Sequence, residues 1–296
     1  MEIKARIVAD SLAPNGSRIT TFELEYPRLI LSEMNTHRQL SRNTASSRAI
    51  PVAKMIELIR NDKVGTIVHW GKNQAGMQAN GELDGDARAN VQDAWNVAKV
   101  IACDLAEYMS SQGAHKQIVN RILEPFQTVK TIATATEWGN FFWLRCDKDA
   151  QPEIQELARK MYAARAASTP INLEVGHWHT PYFEQGYWTP DSKYDRETAL
   201  KVSSSCCAQV SYRKRDDSIE KAEQLYERLV GASRKHSSAF EHCATPMNGQ
   251  IGQVGVTHRD IHGNLWSGNF KGWVQYRQLI WGHTFNGEWT PDKENE

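Results

Sequence analysis

The alternation of apolar and polar residues at the start of the chain predicts a β-hairpin. Apolar residues alternate with polar ones over residues 3–9 and again within residues 18–31. Because successive side chains of a strand point to opposite faces, each of these strands has one apolar face. The dipeptide Asn15-Gly16 lies between them and is typical of a tight hairpin turn. The chain therefore opens with two antiparallel strands.

Further along the chain, apolar residues recur at the spacing of amphipathic helices. Helices are predicted over residues 51–60, 87–112 and 114–123, after Asp147 and Asp149 with Pro152 in the first turn, and after Asp217 or Ser218. Residues 126–144 are predicted to be extended at first and helical near 136–145, whereas glycines interrupt short apolar runs over 246–281 and predict strands with turns.

This mixture predicts an α+β fold, mainly an antiparallel sheet packed with long helices. A chain of 296 residues can still close around one large core, so we expect a single domain over residues 1–296. The polar, glycine-rich residues 64–86 predict an insertion loop. Residues 168–205, which contain several prolines and aromatic residues, predict an irregular but ordered connection.

Composition excludes several classes of protein. Lysine plus arginine equals aspartate plus glutamate at 35 each, so no overall charge favours nucleic acid or an acidic membrane. Five cysteines without a CxxC pair argue against a disulfide framework and a zinc ribbon. The start of the chain has no apolar signal segment, and no apolar run is long enough to span a membrane. These features predict a cytoplasmic protein.

The residues from Thr36 to Arg48 predict a site for an anion. These thirteen residues include three arginines, three serines, a histidine and an asparagine, and they contain no carboxylate. Such side chains are strong hydrogen-bond donors to phosphate. On spacing alone, an ordinary solvated surface is an equally good interpretation, because surface charge needs no function.

A second group of polar residues runs from His236 to His242 and includes Glu241. Two histidines and a glutamate suggest a metal site, but histidines six residues apart do not share one helical face, as ligands at i and i+4 do. We therefore predict no metal at this segment.

Five blocks of the sequence resemble motifs of the flavin-dependent thymidylate synthases. Residues 236–242 resemble H-x-[ST]-x-x-E-H, and residues 37–48 resemble the signature R-H-R-x-x-S-x-N-E-x-S-x-R. Residues 121–125 resemble A-R-x-x-L-P, and residues 140–154 resemble N-x-x-x-L-R-x-x-x-x-A-Q-x-E-I. In addition, residues 208–212 resemble A-R-V-[CS]-[YF], which opens the usual family chain.

The order of these blocks differs from that of the family, in which the last two blocks of this chain come first. We therefore expect a circular permutation, with an otherwise similar fold. The residues also depart from the family pattern: Thr36 replaces the first arginine of the signature, Thr44 replaces its glutamate, and Glu33 replaces a glutamine upstream. Glu124 is an extra residue in the third block.

The resemblance implies reductive methylation of dUMP to dTMP. FAD would be the working cofactor, NADPH the reductant and methylenetetrahydrofolate the one-carbon donor. It also implies a homotetramer with sites between subunits, whereas the balanced charge predicts no nucleic-acid or membrane partner. Because of the departures, two alternatives remain: methyl or hydroxymethyl transfer to dUMP or dCMP by a related enzyme, or an inactive nucleotide-binding paralogue.

The resemblance also assigns roles to residues. Arg145 matches the arginine at the uracil ring, and it is expected to be catalytic together with Arg48. The flavin-contacting positions are matched by His37, Arg38, Asn140, Ser238 and Glu241, with His236 near the stacked substrates. The nucleotide-binding positions are expected at Glu33, Ser46, Ser47, Arg48, Arg121 and Arg145.

Overall fold

The computed structural model describes residues 2–61, 67–76, 78, 81–212, 214–285 and 287. It is a mixed α+β structure with antiparallel sheets and several helices, as the sequence predicts. The predicted hairpin is present: strands β1 (Lys4–Leu12) and β2 (Arg18–Pro27) pair antiparallel, and Gly16 adopts a positive φ of 80° in the turn. None of the helices in these ranges is long and apolar enough to cross a membrane.

The remaining elements follow in chain order. The helices are α1 (Leu31–Thr36), α2 (Val52–Arg60), α3 (Gly85–Ser111), α4 (Lys116–Val119), α5 (Gly139–Arg145), α6 (Pro152–Ala167), α7 (Arg196–Ala208) and α8 (Ile219–Tyr226). The strands are β3 (Ser41–Thr44), β4 (Thr128–Ala135), β5 (Ile171–Asn172), β6 (Trp178–His179), β7 (Tyr187–Trp188), β8 (Ala244–Pro246), β9 (His258–Arg259), β10 (Leu265–Ser267), β11 (Phe270–Lys271) and β12 (Trp273–Gln275).

The main sheet has the strand order β3-β4-β2-β1-β5, in which only β5 runs parallel to its neighbour. Helices α5 and α6 cover one face of this sheet. Helix α6 buries Ile154, Leu157 and Met161 against the sheet because these residues recur every three or four positions. Trp138, which precedes α5, is 2% exposed and packs edge-on against Phe22.

Two smaller layers flank the main sheet. Helices α2, α3 and α4 enclose a separate apolar cluster around Met55, Ile59 and Cys103. A four-stranded sheet with the order β12-β8-β6-β7 packs on the other side. It is tied to the hairpin turn by Trp273, whose indole Nε1 donates to the carbonyl of Ser17 at 3.0 Å. The C-terminal part therefore folds back onto the start of the chain.

Most predicted elements are present, but several boundaries were wrong. The irregular connection predicted over 168–205 ends at Asp195, because α7 begins at Arg196 and Asp195 accepts a hydrogen bond from the Thr198 amide. The pattern concealed α7 because its serines and cysteines are buried on all sides, so no amphipathic period is visible.

Helix α6 follows Asp147 and Asp149, as predicted, but neither aspartate caps it: Gln151 is the N-cap, and the Asp147 carboxylate accepts from the Asp149 amide. The helix predicted over 114–123 is limited to the single turn α4. Of the predicted insertion loop 64–86, residues 64–66, 77, 79 and 80 lie outside the described residues. Gly71 pairs with Glu82, and α3 begins at Gly85.

Candidate functional site

A hydrogen-bonded histidine and arginine form the centre of the candidate site. Arg145 Nε donates to His37 Nε2 at 2.8 Å, and Arg145 Nη2 donates to Thr36 Oγ1 at 3.2 Å. The arginine can only donate, so His37 Nε2 must accept, and the imidazole proton therefore resides on Nδ1. This contact joins residues that lie 108 positions apart in the sequence.

Two short helices bring this pair together. Helix α1 ends at Thr36. The guanidinium of Arg42 holds this end by donating to the carbonyl of Met34 in the last turn and to that of His37, which follows the helix. Helix α5 places Phe141 and Arg145 on one face, one turn apart. The Phe141 ring lies edge-on to the His37 ring at 4.9 Å, so the imidazole is fixed from two sides.

The pair lies on the wall of a pocket with a volume of about 320 Å³. Arg38 and Asn140 also line the pocket, and both are exposed. The only carboxylate among the lining residues is Glu137, which forms an ion pair with Lys271. The pocket therefore presents two guanidinium groups, an imidazole and the side-chain amides of Gln39 and Asn140 to a bound molecule.

His37 is neutral at physiological pH. Burial, together with the positive charges of Arg145 and Arg42, lowers its pKa to about 4. A neutral imidazole can accept the hydrogen bond from Arg145, whereas an imidazolium would repel the guanidinium. The low pKa and the hydrogen bond therefore support each other.

A second cluster lies near the other end of strand β3. The carboxylate of Glu124 accepts a hydrogen bond from Arg121 Nη1 at 2.7 Å and from Ser47 Oγ at 3.1 Å. Arg28 Nη2 lies 3.1 Å from the same Glu124 oxygen. This group, which we call the Glu124 cluster, holds one anionic group with three donors.

The segment 236–242 packs against strand β3, although it follows that strand by almost two hundred residues. Glu241 forms an ion pair with Arg277, and its backbone carbonyl accepts from Gln275 Nε2 at 3.3 Å. Glu241 also interacts electrostatically with Arg42, which binds the carbonyl of His37. Strand β3 thus connects this segment with the His37 pocket.

The predicted site residues fall into three groups. His37, Arg38, Asn140 and Arg145 meet at the pocket, whereas Ser47 and Arg121 meet in the Glu124 cluster. The remaining residues lie outside both groups. Glu33 accepts a hydrogen bond from Ser32, the Ser46 amide donates to Ser211, and Glu241 forms an ion pair with Arg277. The other three are exposed: Arg48, His236 and Ser238.

Several contacts of the site were not predicted. Arg28 and Arg277 lie outside the motif-like blocks of the sequence, and only the tertiary structure reveals their partners. The sequence feature that could have indicated the cluster is the extra residue Glu124, because an insertion within a motif adds a side chain next to the motif residues. In the part of the chain that the structure describes, no group of three histidine, cysteine, aspartate or glutamate side chains could hold a metal ion.

Comparison with solved structures finds low sequence identity. The UMP/dUMP methylase PolB from Streptomyces cacaoi bound with 5-Br UMP is 17% identical, with a TM-score of 0.45 over 56% of this chain and 89% of that chain. The flavin-dependent thymidylate synthase ThyX from Helicobacter pylori, complexed with FAD and dUMP, is 16% identical, with a TM-score of 0.35 over 50% of this chain and 67% of that chain. No curated protein matches the sequence.

The family comparison is more specific. The family model described as thymidylate synthase complementing protein matches residues 18–171, slightly more than half of the 296 residues. The matched range contains the signature stretch 36–48 and both residues of the His37–Arg145 pair. The chain therefore belongs to the thymidylate synthase complementing protein family, whose members include the ThyX enzymes.

Proposed function

We propose that the protein is a flavin-dependent thymidylate synthase. It would convert dUMP to dTMP, with methylenetetrahydrofolate as one-carbon donor, NADPH as reductant and FAD as cofactor. The observation that carries this proposal is the pocket at which Arg145, His37, Arg38 and Asn140 meet. Arg145 matches the arginine that contacts the uracil ring in the family, and the other three residues match positions that contact the flavin.

In this proposal, the residues of the pocket mainly bind and orient. Arg145 would place a fixed positive charge beside the uracil ring and stabilise negative charge that develops on the base. Neutral His37 would hold the Arg145 side chain through its Nε2 atom. Arg48, which is exposed, would reach the nucleotide from the other end of β3.

The pocket residues fit a flavin in their chemistry. A flat heteroaromatic ring takes hydrogen bonds at its edge and packs against apolar side chains, and the pocket offers the exposed side chains of Arg38, Asn140 and Leu144. We propose that His37, Arg38, Asn140, Ser238, Glu241 and His236 hold FAD. The bound flavin would supply the electrons for reduction.

The proposal is tested with purified protein and its substrates. We expect a yellow protein that releases tritium from C5-labelled dUMP when NADPH and methylenetetrahydrofolate are present. A protein that stays colourless and inactive after addition of FAD would overturn the proposal. The product mass identifies methylation.

A second candidate is a related pyrimidine nucleotide methyl- or hydroxymethyltransferase acting on dUMP or dCMP. It is favoured by Thr36, which replaces an arginine of the signature and accepts a hydrogen bond from Arg145 instead. The pocket therefore has one cation fewer near the proposed base. Product masses from dUMP and dCMP separate the candidates, and binding of dUMP without flavin reduction would indicate an inactive paralogue.

We further propose that the donors of the Glu124 cluster hold the phosphate of the nucleotide. Arg28, Arg121 and Ser47 all point to one carboxylate oxygen, which competes with a phosphate for the same donors. Replacing Glu124 by glutamine removes the competing charge, so we expect dUMP to bind roughly tenfold more tightly. Binding of deoxyuridine, which has no phosphate, should not change. Isothermal titration calorimetry measures both affinities.

The exposed Glu220 in helix α8 provides the matched control. The Glu220→Gln variant should bind dUMP as the wild type does. If Glu124→Gln instead weakens dUMP binding, the carboxylate orients the arginines and does not compete with phosphate.

We propose that the protein forms a homotetramer with sites between subunits. Support comes from α3, where Val97, Ile101, Leu105 and Tyr108 form an apolar stripe along the solvent-exposed side. Ile101 and Leu105 are each 52% exposed, one helical turn apart. Such a continuous stripe is typical of a surface that another subunit covers.

Aspartate at both Ile101 and Leu105 is therefore expected to dissociate the oligomer, because subunit contact would then bury unpaired charges. Size-exclusion chromatography with light scattering gives the mass directly. The Asn96→Asp variant, which adds charge at an exposed polar position of the same helix, should keep the wild-type mass. A wild-type protein that is itself monomeric would contradict the proposal.

We also propose that residues 1–296 form one domain whose element order is a circular permutation of the usual family chain. This is supported by contacts between late and early blocks: Ser211 Oγ accepts from the Ser46 amide at 2.9 Å, and Asn43 Nδ2 donates to the Cys207 carbonyl at 3.3 Å. The late blocks thus lie beside the signature stretch, as they would in an unpermuted chain.

A further inference from the structure

A second and larger cavity, with a volume of about 940 Å³, lies on the other side of Glu137. One wall is formed by the hairpin turn around Asn15 and by Arg165 near the end of α6. The opposite wall is formed by glycine-containing turns of the C-terminal part, around Gly249 and Gly263. Most of this second wall lies outside the family-matched residues 18–171.

The cavity contains an arginine whose charge is not compensated by an ion pair. The Asp10 side chain, which is only 5% exposed, accepts two hydrogen bonds from Arg18 and one each from the hydroxyls of Thr20 and Ser168. These four bonds saturate a carboxylate. Arg165 Nε donates only to the Thr20 hydroxyl, at 3.2 Å, and Arg165 has no ion pair within the described ranges.

The neighbouring charges make this position favourable for an anion. Burial, followed by the positive charge of Arg18, lowers the pKa of Arg165, and the negative charges of Asp10 and Glu137 offset this lowering only in part. Lys271 is already paired with Glu137. A bound carboxylate or phosphate would relieve the repulsion between the arginines and could take a bidentate pair of hydrogen bonds from Arg165.

The part of the cavity that is formed by the hairpin turn, Lys271 and Gly272 is held in place before any ligand binds. Ser17 Oγ donates to the Lys271 carbonyl at 2.7 Å, and the Lys271 amide donates to Thr136 Oγ1 at 2.9 Å. Between these contacts, Gly272 has a φ of +73°, and a Cβ atom there would lie only 2.7 Å from the side chain of Asn15. Only glycine allows this close approach. This part of the cavity wall is therefore fixed by the fold.

The cavity adjoins the proposed active site. Glu137 lines both this cavity and the pocket of the His37–Arg145 pair. A molecule with its reactive group in the pocket and an anionic group at its other end would therefore extend past Glu137 to Arg165. Mononucleotides already have a proposed phosphate position in the Glu124 cluster, so a longer ligand is the better match.

We propose that this cavity is a second ligand site, which binds the carboxylate or phosphate of an organic anion through Arg165. The choice of candidate ligands rests on the proposed function: the carboxylates of the folate donor or the phosphates of NADPH supply the required chemistry. The C-terminal turns would enclose the part of the ligand that joins its anionic end to the reactive end.

The first experiment tests the anion site without assuming the reaction. Thermal unfolding of the wild-type protein is followed with increasing pyrophosphate and with increasing citrate. We expect at least one of them to raise the melting temperature, and Arg165→Met to weaken this response at least tenfold in concentration. Arg159→Met, which removes an exposed arginine of the same helix, should respond as the wild type does. A wild type without a response, or an unchanged Arg165→Met, overturns the site.

The second experiment identifies the ligand. Dissociation constants for folate, NADPH, FAD and dUMP are compared between the wild type, Arg165→Met and Val175→Trp, which narrows the cavity without altering Arg165. We expect both variants to lose at least tenfold in affinity for folate or for NADPH, and to keep their affinity for dUMP. Unchanged constants for folate and NADPH overturn the proposed ligand. A wild type that binds neither dUMP nor FAD overturns the proposed function, while the anion experiment still decides on the site.

Discussion

Replacing Arg145 by methionine is expected to lower turnover of dUMP by about 100- to 1000-fold, the usual effect of removing one charged group that stabilises a transition state. Arg145 is the one proposed catalytic residue whose guanidinium is fixed, since it donates to both His37 and Thr36. Methionine retains much of the aliphatic chain but supplies no charge. A steady-state tritium-release assay measures the loss.

The same variant should also change the pKa of His37, which a loss of activity for another reason would leave unaltered. The charge of Arg145 is one of the causes that lower the pKa of His37, so this pKa should rise from about 4 towards its ordinary value. Nuclear magnetic resonance of the imidazole follows the titration. Arg159→Met is the control and should leave both turnover and the His37 titration unchanged. Full activity of Arg145→Met would exclude Arg145 from catalysis.

The second large effect concerns stability in acid. A buried chain of hydrogen bonds crosses the core: His179 Nε2 lies 2.8 Å from Thr21 Oγ1, which lies 2.7 Å from Thr134 Oγ1, and this atom lies 2.8 Å from His242 Nδ1. Burial lowers the pKa of both His179 and His242 to about 3. Both imidazoles are therefore neutral in the folded protein.

Stability should fall as the pH decreases below about 6.5. In the unfolded chain these histidines take up protons near pH 6.5, whereas in the folded protein they do so only near pH 3, so each histidine can reduce the free energy of unfolding by about 1.4 kcal/mol per pH unit between these values. Carboxylates add little above pH 5, since their ordinary pKa values are near 4. Urea unfolding from pH 7 to pH 5 measures this slope.

The variant His242→Asn isolates one of the two histidines. Its side-chain amide can still bond to Thr134 but does not titrate, so the slope should decrease by up to about 1.4 kcal/mol per pH unit, even if overall stability is lower. The control His262→Asn changes an exposed histidine and should keep the wild-type slope. Equal slopes in the wild type and His242→Asn would contradict the assignment.

The sequence predicts elements well where one face of the element is buried. The alternation in β1 and β2 and the helical spacing of Ile154, Leu157 and Met161 gave the correct elements, because each borders one core. Helix α7 was missed because its small polar residues are buried all round. Whether Ser203 or Cys207 is buried depends on neighbours far away in the chain, which periodicity does not encode.

The site was predictable only in part for a similar reason. The resemblance grouped His37, Arg38, Asn140 and Arg145, and these four residues do line one pocket. Their partners arise from tertiary contacts: Thr36 is a departure from the motif, yet its hydroxyl becomes a partner of Arg145. The convergence on Glu124 likewise joins residues from three separate segments and required the structure.

Strand β3 is the last strand on one side of the main sheet, and late parts of the chain contact it. An uncovered strand presents a row of unpaired backbone groups to which a strand of another molecule can add. The Cys207 carbonyl accepts from Asn43 Nδ2 of β3, the Ser211 hydroxyl accepts from the Ser46 amide just beyond β3, and residues 238–242 pack against β3 and β4. We therefore expect a chain that ended after residue 171 to lose these contacts and to expose more of β3 to strand pairing with other molecules.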